Sequence, residues 1–163
     1  MLIPIVAVIS LQGNITPTMG MSTNYTVNVF NWGNQPQSNY QIKLYRQDGI
    51  ELSTIDGATI TPGQLLPQTI PWIPNAEGPT AIYVKVIMTT DQDPLNDQSP
   101  NLSINVQPPG QVVLTIGEPL ETARIPMDMY YCNSLYECIY YPAELSNTLG
   151  MINGIAFYNQ FNT

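Results

Sequence analysis

The chain has no histidine, only four Lys and Arg residues together, and only two cysteines in 163 residues. Each shortage removes a class of chemistry. Without an imidazole there is no ready general base, so Ser134 lacks the partner that a serine nucleophile needs. The commonest zinc ligand is missing too, and Cys132 and Cys138, in CNSLYEC, do not have the CxxC spacing of a metal knuckle or redox pair. Lys43, Arg46, Lys85 and Arg124 stand against twelve acids, for a net charge of -8. That balance offers no footprint for a phosphate backbone or an anionic membrane surface, so nucleic acid is not expected as a partner. There is no glycine-rich phosphate loop and no apolar run long enough to span a bilayer, so direct membrane insertion is not expected either. Fifteen prolines and eleven glycines at short intervals rule out long helices.

What remains is an alternation of period two. Charged residues make up only 10% of the chain, so Asn, Gln, Ser and Thr must wet the surface, a balance common in secreted β proteins. The opening MLIPIVAVIS lacks a basic n-region and is interrupted by Pro4, so it reads as a first strand from Ile5 to Leu11. An exported protein would carry its signal outside these residues. Tyr25, Val27 and Val29 alternate with polar neighbours, and so do Tyr40, Ile42 and Leu44. These two runs are expected to pair as central strands. A short strand follows near Ile50 to Ile55. Pro67, Pro71 and Pro74 then push the segment Gln68 to Ile73 toward a sheet edge, because proline cannot donate to a ladder. Thr80 to Thr89 is the longest clean strand, with Ile82, Val84 and Val86 on one face, and Leu102, Ile104 and Val106 form the last. About seven short strands in roughly 105 residues is the rhythm of an immunoglobulin-like sandwich. Trp32 and Trp72 are expected to plug its core or cover its ends.

The fold class is therefore all-β, an immunoglobulin-like β-sandwich followed by a partial second β domain. The sandwich is expected over residues 1–107, a linker rich in proline and glycine over 108–111, and the N-terminal part of a second β-rich domain over 112–163. That second part has fewer than about 60 residues, a size marginal for an independent core. Its last run, Ile152 to Tyr158, reads as a strand, and unpaired strands over 112–158 would offer a route to self-association through the 112–163 segment. For Cys132 and Cys138, a local disulfide across a turn requires Cα atoms within about 7 Å, and both the disulfide and a pair of buried free thiols stay open.

Asp91, Asp93, Asn96 and Asp97 form the densest group of carboxylate and amide oxygens, the ligand type that calcium takes from a flexible acidic loop. The spacing lacks the glycine and terminal glutamate of an EF-hand, and a soluble turn is the alternative. No cofactor is expected apart from calcium as a candidate at these residues. Glu118, Glu121, Asp128, Glu137 and Glu144 are the acids from which a glycosidase pair would have to come, but nothing in their spacing places two of them across a sugar. The tyrosines and Trp32 suggest a carbohydrate platform as one role, and core or cross-strand packing as the other. Asn14, Asn24 and Asn101 match the N-x-[ST] sequon, and in a bacterial protein are expected to carry no glycan.

The segments LQGNITPTMG, YTVNVFNWG and YQIKLYRQDG, the W-x-P of Trp72 to Pro74 and the D-x-x-P-x-N-D of Asp91 to Asp97 resemble the CARDB-like immunoglobulin-fold modules of bacterial and archaeal surface proteins. The resemblance covers about two thirds of the chain. The continuation IGEPLETARIPMDMYYCNSLYECIYYPAEL, with its S-L-x-x-x-x-Y-x-x-x-E-L stretch from Ser134 to Leu145, and then GMINGIAFYNQF, is similar to the start of a jelly-roll-like β domain. Such domains follow these modules in large secreted proteins of the Bacteroidetes and Cloacimonetes type. The two cysteines depart from that pattern, so it supplies no disulfide. The resemblance implies a non-catalytic structural or adhesive module, secreted or at the cell surface, that meets protein or glycan there. An accessory carbohydrate-binding domain of a secreted hydrolase, or a virion or filament subunit, is the alternative.

Overall fold

A computed structural model describes residues 3–116, 139–145 and 150–156. The chain divides into two units, Met1–Val113 and Leu114–Thr163. The first contains seven strands: β1 (Val6–Gly13), β2 (Thr23–Asn31), β3 (Gln41–Arg46), β4 (Glu51–Asp56), β5 (Leu65–Trp72), β6 (Gly78–Ile87) and β7 (Leu102–Val106). They form two antiparallel sheets, one ordered β1-β2-β5 and the other β4-β3-β6-β7. The fold is all-β, an immunoglobulin-like sandwich.

Period-two burial builds it. On β2, Tyr25, Val27 and Val29 have no solvent exposure, while Asn24 and Thr26 face outward. On the opposing sheet, Ile42 and Leu44 of β3 and Ile82, Val84 and Val86 of β6 are fully buried, and Ile70 of β5 closes the layer between. Each such side chain contributes about 1.5–3 kcal/mol on leaving water, which makes this layer the main source of stability. Tyr25 and Tyr40 also lie in the core, with only their hydroxyls finding polar partners: Tyr25 donates to Asn14 O at 3.0 Å and Tyr40 to Ala58 O at 2.7 Å. Burial pushes the Tyr25 phenol up to about 12. Gly57 has to be glycine, because a Cβ there would overlap the Tyr40 ring.

β2 and β3 do not pair, contrary to the sequence expectation. β2 lies between β1 and β5, β3 lies between β4 and β6, and the two strands belong to opposite sheets. Alternation fixes which side chains point inward but carries no information about which sheet a strand joins. The prolines of β5 do place it at a sheet edge, as expected. The outer edge of β7 is covered by the chain after β1, where Asn105 N donates to Ile15 O at 2.8 Å and Gln107 N to Pro17 O at 2.7 Å. Such cover suppresses pairing with another chain.

After β7 the chain turns at Gly110, whose φ of 75° suits glycine, and Thr18 Oγ1 donates to Gln111 O at 2.8 Å. In the second unit, residues 139–145 hold a turn in which Glu144 caps Tyr141 N at 2.7 Å, and residues 151–156 carry no strand, unlike the expectation for the run from Ile152. Cys132, Cys138, Ser134, Glu118, Glu121, Asp128 and Glu137 lie outside the described residues. No helix among the described residues is long and apolar enough to cross a membrane.

Candidate functional site

The turn after β6 is built almost entirely from polar side chains bonded to backbone. Asp91 Oδ2 accepts from Val6 N at 3.0 Å and Asp91 Oδ1 from Asp93 N at 2.7 Å. Asp93 Oδ2 accepts from Asn96 Nδ2 at 2.8 Å, and Asp93 Oδ1 from Leu95 N at 3.4 Å. This is the local side-chain-to-backbone bonding that makes aspartate a turn former. The backbone of the same turn reaches β1 twice more, with Val8 N donating to Asn96 O at 3.0 Å and Gln92 N to Pro4 O at 3.1 Å.

The next residues bond to β6 instead. Val86 N donates to Asp97 O at 2.9 Å, Ser99 N to Val84 O at 3.0 Å, and Val84 N to Ser99 Oγ at 3.1 Å, with Lys85 and Gln98 facing each other in an isolated bridge. Residues 91–99 therefore hold β1 of one sheet and β6 of the other, closing one side of the sandwich.

Asp97 is the unusual member. It is only 6% exposed, and its Oδ1 has no hydrogen-bond partner, as is true of the buried Asn96 Oδ1 beside it. Burial, then the nearby Asp91, push its carboxyl up from 3.8 to about 6, with Lys85 opposing and Asp93 adding to the rise. Of the four residues singled out from sequence, Asp91 and Asp93 hold backbone amides, while Asn96 and Asp97 keep a free oxygen each. Among the described residues no three or more Cys, Asp or Glu side chains converge closely enough to hold a metal ion as they stand.

Among the described residues the aromatic candidates do not form one platform, and Tyr130, Tyr131 and Tyr136 lie outside those residues. Tyr45 and Tyr83 stack across β3 and β6, centroids 5.4 Å apart, whereas Trp32 follows β2 in the other sheet and rests on Phe30 at 4.4 Å. Trp72 is buried against Tyr25 at 6.3 Å, as expected of a core residue, but Trp32 is 63% exposed. A cleft of about 230 Å³ is lined by Trp72, Leu52, Val106, Arg46 and Glu77. Its guanidinium is already held by Asp48 through two bonds, of 2.9 and 2.7 Å, so it offers no unpaired cation to a ligand. Two more acids of this unit are engaged, Glu51 with Lys43 at 2.9 Å and Thr54 at 2.8 Å, and Asp56 with Gln41 at 3.2 Å. Glu144 caps its own turn. Among the described residues no pair of carboxylates stands across a cavity, and no nucleophile has a base beside it.

No family model matches the sequence, and no curated protein matches it. Solved structures do. The CARDB domain of a Pyrococcus furiosus protein, crystallised in complex with di-metal ions, superposes with a TM-score of 0.54 at 18% identity, covering 64% of this chain and 94% of that one. The solution structure of the same domain gives a TM-score of 0.53 at 19% identity, over 66% and 98% of the two chains. A domain of a putative cell surface protein from Methanosarcina acetivorans gives 0.52 at 17% identity, over 64% and 92%. At these identities the likeness is one of fold, a CARDB-like immunoglobulin-type sandwich.

Proposed function

We propose that this chain is a non-catalytic structural and adhesive module of a secreted or cell-surface bacterial protein, in which the sandwich spaces its neighbours and contacts protein or glycan with its outer faces. The observation that carries this reading is the disposition of polar groups in the sandwich. The buried Asn31 and Ser99 and the half-buried Asp91 spend their side chains on backbone hydrogen bonds, which builds the shape of the sandwich, and among the described residues no nucleophile has a base beside it. The neighbours in fold support it: one is described as a putative cell surface protein, and the others are CARDB domains. The low content of charge and the absence of histidine fit the same reading.

Two measurements test it. An antibody raised against the chain is expected to label intact source cells or their medium, and labelling confined to the cytosol would overturn the location. The purified chain is expected to turn over no glycoside, ester or peptide substrate, and any turnover that tracks with the protein through purification would overturn the non-catalytic reading.

Self-association through 112–163, as in a filament subunit, is a second reading, favoured by one observation. In the second unit Ile139, Met151, Ile152 and Ile155 are all at least 67% exposed, more apolar surface than so short a stretch usually leaves in water. Sedimentation at rising concentration separates the two: a single species supports the spacer, and mass that grows with concentration supports the filament.

A further inference from the structure

The two outer faces of the sandwich differ in chemistry. Strands β3, β4 and β6 carry Lys43, Arg46, Glu51, Asp56 and Lys85, whereas β1, β2 and β5 carry no charged residue. Period two sets what the uncharged sheet shows to solvent: Tyr25, Val27 and Val29 of β2 point inward, so Thr26, Asn28 and Phe30 point outward. Strand register extends these positions into rows. Thr26 lies between Gln12 and Thr69, Asn28 lies between Ser10 and Pro67, and Phe30 faces Leu65, which is 52% exposed. Trp32 prolongs the apolar row, its ring leaning on Phe30 with centroids 4.4 Å apart and 63% of the residue in solvent. Its backbone is pinned to the start of the chain, with Trp32 N donating to Ile5 O at 3.0 Å. An exposed indole held this way gives up little freedom when a ligand stacks on it.

We infer that this face binds a neutral glycan chain, with Trp32 stacked on the apolar side of a sugar ring and Ser10, Asn28 and Thr26 bonding sugar hydroxyls. The inference rests on the surface-module reading above and names the face and the class of partner. The chemistry of the face selects the occupant. A sugar ring presents C–H groups on its flat side and hydroxyls around its rim, and an aromatic ring beside neutral amides and hydroxyls matches both. Asn28 Nδ2 donates to Ser10 Oγ at 2.8 Å, which leaves Asn28 Oδ1 to accept and the Ser10 hydroxyl to donate. From Phe30 to Thr26 the strand runs about 14 Å, room for more than one sugar ring. A face without charge gives an acidic polysaccharide or a nucleic acid nothing to neutralise it. It also gives a protein partner no ion pair to fix its register.

The test applies the labelled whole chain to an array of neutral and acidic bacterial, plant and animal glycans. Retention on neutral glycans is expected, and it should persist at high salt. Trp32→Ala is expected to weaken it about tenfold and Trp32→Phe by less, while Tyr83→Ala, on the other face, leaves it unchanged. A blank array, binding to acidic glycans alone, or a Trp32→Ala variant that binds like the wild type overturns the inference. A blank array together with a cell-envelope protein captured only when Trp32 is present assigns the face to protein instead. If Trp32→Ala does not fold, Thr26→Glu replaces it, because it puts charge and bulk at an exposed position of the same face. Undiminished glycan binding by that variant overturns the inference as well. All these outcomes leave the surface-module reading in place, since that reading falls on cytosolic labelling or on turnover of a substrate.

Discussion

The turn after β2 and the turn after β6 each bury a polar side chain, and they differ in how completely they satisfy it. Asn31, with no exposure, donates from Nδ2 to Gln35 O at 2.9 Å and to Ile60 O at 3.0 Å, and accepts from Gly33 N at 2.8 Å through Oδ1. Asp97, almost as buried, leaves Oδ1 unmatched and carries a charge besides. A saturated amide fixes a loop and asks for nothing further, whereas an unsatisfied carboxylate keeps a fold sensitive to protons and cations. One turn is finished architecture and the other is open to its surroundings.

Substituting the two residues should separate these roles. The largest effect is expected from Asn31→Ala, which removes three hydrogen bonds of a fully buried side chain and leaves a cavity in its place: a loss of about 2–4 kcal/mol, seen as a fall in melting temperature of more than about 6 °C. Asp91→Ala removes the acceptor for Val6 N and Asp93 N and should cost about 1–3 kcal/mol in denaturant unfolding. A loss as large as that of Asn31→Ala would mean that the two turns carry equal weight.

Asp97→Asn should act in the opposite direction. Because the fold raises the Asp97 carboxyl from 3.8 to about 6, it favours the folded state while protonated, fully below about pH 4 and progressively less as pH rises through about 6. The variant should therefore melt above the wild type at neutral pH and lose that advantage as the pH is lowered across the window. Equal melting at both ends would show that Asp97 bears no such penalty. The smallest effect is expected from Glu51→Gln, on an exposed ion pair with Lys43, where the melting temperature should stay within about 1 °C of wild type.

The same contrast governs what could be read from sequence. The core was legible because period two reports directly on burial: Tyr25, Val27 and Val29, and Ile82, Val84 and Val86, are inward as their spacing says. Strand partners were not, since β2 and β3 have the same inward pattern in whichever sheet they lie. Trp32 was expected to plug the core or cover an end of the sandwich, and it falls one residue beyond the end of β2, where it rests on Phe30 and stays largely in solvent. In the turn after β6, D-x-x-P-x-N-D announced a dense set of oxygens, yet nothing local says that Asp91 caps Val6 from 85 residues away or that Asp97 is the member that turns inward. Side-chain-to-backbone bonds across the sandwich leave no periodic trace.

Residues 91–99 close a sandwich whose stability resides in its apolar layer, and amide hydrogen exchange tests that division most directly. Asp91→Ala is expected to speed exchange at Val6 and Val8 while the amides of β3 keep exchange free energies lower only by the global loss of stability. Val6 and Val8 amides that exchange in step with those of β3, in wild type and variant alike, would contradict it, because the turn would then be part of the core rather than its fastening.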